Sequence, residues 1–228
     1  MGPGTSESSD TVVLVHGLYM NGWDMALLRA RLKHAGFATW QFSYPSLHAS
    51  PVENARALAA FVAGIDAGVV HFIAHSLGGL VLHHLFRQAP DERPGRAVTL
   101  GAPHCGSHAA MHIADSRWAT KLLGHSADQG LLGDLPPWPA VRELGVIAGS
   151  RSLGLGKFLG PLETPNDGTV AVSETEVSGA ADRIVLHVAH IEMLFSSEVA
   201  HQTVCFLRNG RFARLADDAG SRGSGKTQ

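Results

Sequence analysis

Six short runs of apolar, often β-branched residues alternate along the chain with stretches whose apolar positions recur every three to four residues. "TVVLVHG", Thr11 to Gly17, is apolar almost without interruption, "FATWQFSYP" stops at Pro45, "GVVHFIAHS" ends at Ser76 and "RAVTLGAP" at Pro103. Leu144–Ser150 and Arg183–His190 complete the set. Each reads as a strand, and continuous apolar strands belong to a sheet covered on both faces. Between them, "NGWDMALLRARLKHAG" has helical spacing with Asn21 as cap and Gly36 as stop. "VENARALAAFVAGI", "LGGLVLHHLFRQA" and "SSEVAHQTVCFLRNG" read as further helices, the last capped by Ser196 or Ser197 and stopped by Gly210. This alternation predicts an α/β fold with a doubly wound, mostly parallel sheet.

The alternation breaks once. Residues 106–142 are longer, less regular and rich in Leu, Gly, Pro and Trp, which predicts a small cap or lid over one end of the sheet. Residues 1–10 and 215–228 are dominated by Gly, Ser and charge and read as flexible tails around a single domain, 11–214.

Composition narrows the function more than the fold. A net charge of −2, with no Lys/Arg-rich patch, gives no basic field for nucleic acid. Cys105 and Cys205 are the only cysteines and form no Cys-x-x-Cys pair, so two free thiols are expected. No apolar stretch reaches the roughly 20 residues that span a bilayer. The first residues lack a signal-peptide pattern, which makes a cytoplasmic location the default and leaves a processed, secreted form open.

The chemistry gathers around "AHSLGG". Ser76 falls between a buried strand and a buried helix, where small neighbours (Ala74, Gly78) permit a tight turn that pushes the hydroxyl out. The next N–H, Leu77, lies at a helix start, where unpaired donors favour an anion. This is the small-x-Ser-x-Gly nucleophile elbow, with Ala in place of the first Gly. A serine nucleophile needs a base, and the base an orienting acid. In folds that carry this elbow, chain order puts the acid next and the histidine last. His190, at the end of the last strand, is the candidate base, with His187 a rival. Asp167, in the turn "PNDG", is the candidate acid, with Asp182, Glu163 and Glu174 as rivals. The loop after the first strand offers the Leu18 N–H as second oxyanion donor, with His16 holding that loop.

"VLVHGL", "AHSLGG", "LGAPHCGS" and the pair "PNDGTV" and "HVAHIEMLF", in this order, resemble the α/β-hydrolase superfamily, more narrowly bacterial triacylglycerol lipases and esterases. The likeness runs from about Thr11 to Arg211, and the Ala-His-Ser start of the elbow is similar to that of Bacillus-type lipases. It implies Ser76 as nucleophile, Asp167 as orienting acid, His190 as base and the Leu18 and Leu77 amides as oxyanion hole, with no cofactor. It implies a small ester or lipid as substrate, with transient contact to a lipid interface. His104 in "GAPHCGS" is expected to be structural, and His83 and His84 to pack or be solvated. His104, His108 and His112 have helical spacing but lack a completed ligand set, so no metal is assigned.

The substrate class is read from the excursion. Trp118, Leu122, Leu123, Leu131, Leu132, Leu135 and Trp138 line an acyl pocket or pack in the core; Tyr19, Met20 and Trp23 could add apolar wall. A carboxylic ester of short-to-medium acyl chain is the expectation. A thioesterase or acyltransferase, an amidase or peptidase, and a non-enzymatic binding protein on the same scaffold stay open.

Overall fold

The six apolar runs form one sheet. In the computed structural model, which describes residues 10–114, 124–127, 131–133, 135, 137–153 and 162–214, they are β1 (Thr11–Val15), β2 (Ala38–Phe42), β3 (Val70–His75), β4 (Ala97–Leu100), β5 (Leu144–Gly149) and β6 (Asp182–Leu186). Their order is β2-β1-β3-β4-β5-β6, and every neighbouring pair is parallel.

Successive strand side chains point to opposite faces, and both faces are covered. Val12, Leu14, Ile73, Val98 and Ile147 pack with Leu28 and Leu32 of α1 (Ala26–His34) and Phe206 of α5 (Ser197–Asn209). Val13, Val15, Phe72, Ala74 and Val146 pack with Leu58 of α2 (Pro51–Ala63) and Val81 and Leu85 of α3 (Leu77–Gln88). This is why residues of both parities are apolar. Each such side chain contributes about 1.5–3 kcal/mol by leaving water.

Local signals set the helix ends. Asn21 accepts a hydrogen bond from Trp23 N at 2.9 Å, but it caps a 3₁₀ turn, Gly22–Met25, and α1 starts only after that turn. Ser50 and Glu53 cap α2 reciprocally, with Pro51 at its first position. Of the two candidate caps for α5 it is Ser196 that accepts from Val199 N, and Gly210, with φ 71°, ends the helix. The last strand is shorter than expected: beyond Leu186 the chain turns, with the Val188 N–H donating to Leu186 O at 2.9 Å.

Cys105, exposed, and Cys205, half-buried, form no disulfide. The expected cap begins with α4 (His108–Ala114) and includes a 3₁₀ turn, Gly124–Ala127. Much of it, including Trp118, Leu122 and Leu123, lies outside the described residues, as do 1–9 and 215–228. No helix among the described residues is long and apolar enough to cross a membrane.

The chain leaves β1 for β2 on one side of the sheet and then crosses to β3 on the other. Such a reversal opens a crevice at the carboxyl ends of β1 and β3. Gly17 follows β1 at that edge and Ser76 follows β3.

Candidate active site

Ser76 joins β3 to α3 with φ 52° and ψ −124°. For a non-glycine residue such a backbone costs on the order of 1–3 kcal/mol and persists only when the surroundings dictate it. Here they do. The Ser76 N–H donates to Leu100 O at 2.9 Å, and the Gly79 N–H donates to Ser76 O at 2.9 Å. A side chain at Gly78 would meet Val15 O at 2.6 Å and His16 O at 2.7 Å, and one at Gly79 would overlap Ala102. The start of α3 is therefore pressed onto the ends of β1 and β4. Ser76 stays half-buried, and its hydroxyl has no hydrogen-bond partner among the described residues.

Asp167 and His190 come together although 23 residues separate them. His190 Nδ1 donates to Asp167 Oδ2 at 2.7 Å, and both side chains are buried. The other carboxylate oxygen accepts the Val170 N–H at 2.7 Å and the Thr169 N–H at 2.9 Å. The turn thus clamps its own aspartate, and the Asp167 carbonyl accepts the His190 N–H at 2.9 Å. A histidine held this way keeps Nε2 as a base, and the imidazolium formed on taking up a proton faces a carboxylate. Room for the pair comes from Gly101, at the end of β4. With φ 56°, a side chain there would sit 2.9 Å from Asp167 Oδ2 and 3.0 Å from His190 Nδ1.

The rival residues have other partners. His187 is exposed just beyond β6. Asp182 accepts the Phe212 N–H at 2.8 Å and pairs with Arg214 at 2.6 Å. Glu163 accepts from the Ser173 hydroxyl at 2.6 Å. Glu174 is buried, accepts the Ala171 N–H at 2.6 Å and also the His108 N–H, and so ties the Asp167 turn to the start of α4.

The two candidate oxyanion donors, the Leu18 and Leu77 N–H groups, have no acceptor among the described residues. Leu77 is the first residue of α3, so its N–H has no acceptor within the helix. The Leu18 N–H donates to no described residue. His16 holds the loop before it: Nδ1–H donates to Gly17 O at 2.8 Å, Nε2 accepts the Tyr44 N–H at 3.2 Å, and Tyr44 stacks on the ring at 4.3 Å. Burial lowers the pKa of His16, in keeping with that neutral form. His104 is also buried; its Nε2 lies 3.1 Å from Thr99 Oγ1, and burial pushes its pKa down to about 3.

Beside these two N–H groups lies buried apolar packing. Leu77, Leu80, Ala110 and Leu131 form one cluster, with Leu18 and Leu135 packed against it. Leu131 and Leu135 of the excursion therefore stand beside the serine turn. Met20 Sδ would lie 3.2 Å from a side chain at Gly17, while Tyr19 is mostly exposed. Of the two readings open for Trp138, pocket or core, the fold has the core. Its indole N–H donates to Arg142 O at 3.0 Å, and its ring packs edge-on against His83 and Phe86. An indole finds both its apolar contacts and a partner for its N–H there. A cavity of about 630 Å³ opens beyond Leu135, against Cys105, Glu176 and Arg183, but neither Ser76, Asp167 nor His190 lines it.

Three contributors to this geometry were not singled out in the sequence: His75, Gly101 and Tyr44. His75 carried one available signal. It shares its strand parity with Ile73, so a polar ring falls on a fully covered face.

A model of the alpha/beta hydrolase family matches residues 12–207. Among solved structures, the chain is similar to a Bacillus licheniformis lipase in mature form, with a TM-score of 0.71 and 17% identity over 89% of this chain and 92% of that one. It is similar to a metagenomic carboxyl esterase (TM-score 0.64, 19% identity, 81% of this chain and 65% of that one). A Pyrococcus furiosus esterase gives a TM-score of 0.63 at 16% identity, covering 89% and 82%. At these identities the likeness carries the fold alone. Comparison with curated protein sequences gives no match.

Proposed function

The chain belongs to the alpha/beta hydrolase family, and on that premise we propose that it is a serine hydrolase of carboxylic esters with short-to-medium acyl chains. The observation that carries this reading is the buried 2.7 Å hydrogen bond between His190 and Asp167, set at the same sheet edge as the strained turn at Ser76.

In this reading the Ser76 oxygen attacks the ester carbonyl carbon while His190 Nε2 takes the hydroxyl proton. Asp167 holds the ring in the required tautomer and stabilises its charged form. The Leu18 and Leu77 N–H groups receive the oxyanion; losing one such donor typically costs about 10²–10³ in rate. Collapse expels the alcohol, which takes the proton from His190. Water, deprotonated by the same base, then cleaves the acyl-enzyme to release the acid and restore Ser76. The chemistry needs no cofactor.

The apolar cluster around Leu18, Leu77, Leu131 and Leu135 supports an aliphatic acyl group as the recognised part. Exposed Tyr19, Ile191 and Phe195, in the segments that follow Leu18 and His190, support brief contact with a lipid surface.

A series of p-nitrophenyl esters from acetate to palmitate, run beside an acyl-CoA thioester, tests the assignment. Highest kcat/KM on butyrate to octanoate, abolished by Ser76→Ala, is expected. Faster turnover of the thioester than of any ester would replace it with a thioesterase.

A further inference from the structure

His75 ends β3, immediately before Ser76, and is fully buried. Burying an imidazole in an apolar setting costs free energy unless its nitrogens are used. One is used in a telling way: Nε2 donates to the main-chain carbonyl of His190 at 3.0 Å. The two rings also touch, with centroids 4.6 Å apart and planes at 50°. The other nitrogen, Nδ1, makes no hydrogen bond among the described residues. It lies beside Gly17, where a side chain would be 3.1 Å from Nδ1 and 3.0 Å from Ser76 Cβ. The Gly17 carbonyl accepts from His16 Nδ1–H at 2.8 Å.

One ring therefore bridges the loop that presents the Leu18 N–H and the segment that carries His190. A carbonyl only accepts, so His75 Nε2 must bear the hydrogen and Nδ1 a lone pair: the ring is neutral. Burial, with the nearby His190, pushes its pKa down to about 3, which keeps it neutral at working pH. A charged ring in this place would oppose the positive charge His190 acquires as it takes the serine proton.

We infer that His75 is a positioning residue: its Nε2–H fixes the main chain of His190, and its ring fixes the angle at which the base approaches Ser76. This rests on the serine hydrolase reading above, and His75 acts through His190 without touching substrate.

The test compares His75→Phe, His75→Gln and His75→Asn with the wild type. The readouts are kcat and KM on p-nitrophenyl butyrate, the rate of fluorophosphonate labelling, and thermal unfolding. Gln can place an N–H near the position of Nε2; Asn reaches only as far as Nδ1, and Phe has no donor. A misplacement of about 1 Å costs on the order of 100-fold, so Phe and Asn are expected to lose roughly 10- to 100-fold in kcat and labelling rate, with KM within about twofold. Gln is expected to regain most of the loss, even where it unfolds as early as Asn. Should Phe fail to fold, Gln against Asn decides. Equal kcat in Gln and Asn, or losses that follow the unfolding temperature alone, would overturn the positioning role. A wild type that takes no label overturns the hydrolase reading beneath it, an outcome distinct from a labelled wild type with indifferent variants.

Discussion

Asp167 and His190 hold each other twice: the imidazole donates to the carboxylate at 2.7 Å, and the His190 main-chain N–H donates to the Asp167 carbonyl at 2.9 Å. The second bond does not depend on the aspartate side chain. Asp167→Asn should therefore fold with its loop in place yet present the wrong hydrogen-bonding group to Nδ1. We expect kcat to fall by about 10⁴, with the circular dichroism spectrum unchanged. Steady-state kinetics of Asp167→Asn beside Asp182→Asn checks this; a larger loss in the Asp182 variant would move the orienting acid there.

Gly101 makes room for this pair. Its φ of 56° is unfavourable for any side chain, and a Cβ would press on both partners of the pair, 2.9 Å from Asp167 Oδ2 and 3.0 Å from His190 Nδ1. Gly101→Ala is expected to cost about 1 kcal/mol or more in stability and roughly 100-fold in kcat through displacement of His190. Urea denaturation and kinetics on the same preparation separate the two effects. A variant with wild-type kcat would mean that the pair can shift without loss.

The proposed acyl wall makes a specificity prediction. Leu135 packs against the cluster that contains Leu77 and Leu131, half-buried beside the serine turn. Leu135→Trp should fill space an acyl chain would take. Differences of a methylene or two are worth about 1–3 kcal/mol in an apolar pocket, so kcat/KM on the octanoate ester should fall roughly tenfold relative to acetate. An unchanged octanoate-to-acetate ratio would place the acyl group elsewhere.

Stability should decline on mild acidification. His75 and His104 are pushed from the ordinary histidine value of 6.5 down to about 3 by burial. Between those values the unfolded chain binds protons that the folded chain does not. The stabilisation is complete above about pH 6.5 and is lost as pH falls, by up to about 1.4 kcal/mol per pH unit for each histidine. Urea midpoints between pH 7.5 and 5, above most carboxylate titration, check this; a flat profile would mean that neither ring is held neutral by the fold.

The sheet was legible in the sequence because a parallel sheet with two covered faces needs both residue parities apolar, and runs such as Val12 to Val15 satisfy that outright. The turn at Ser76 was legible for the same local reason: Gly78 lies where only hydrogen fits against Val15 and His16. Asp167 and His190 could be proposed from chain order, but their distance belongs to the tertiary structure. Trp138 stayed open between pocket and core because apolar composition does not say which of the two an aromatic ring faces; in the fold its indole N–H donates to Arg142 O within the core. His75 went unread because its value lies in a partner, His190, 115 residues away. Strand ends were placed too late where the chain keeps an apolar sequence after its ladder has ended, as beyond Leu186.

The central claim is that Ser76 is a nucleophile activated by His190. Incubation with a fluorophosphonate followed by intact-mass analysis and peptide mapping tests it without knowledge of the substrate. One adduct per chain on the Ser76 peptide is expected, absent in Ser76→Ala and strongly slowed in His190→Ala. An unlabelled wild type, or equal labelling of Ser76→Ala, would contradict it.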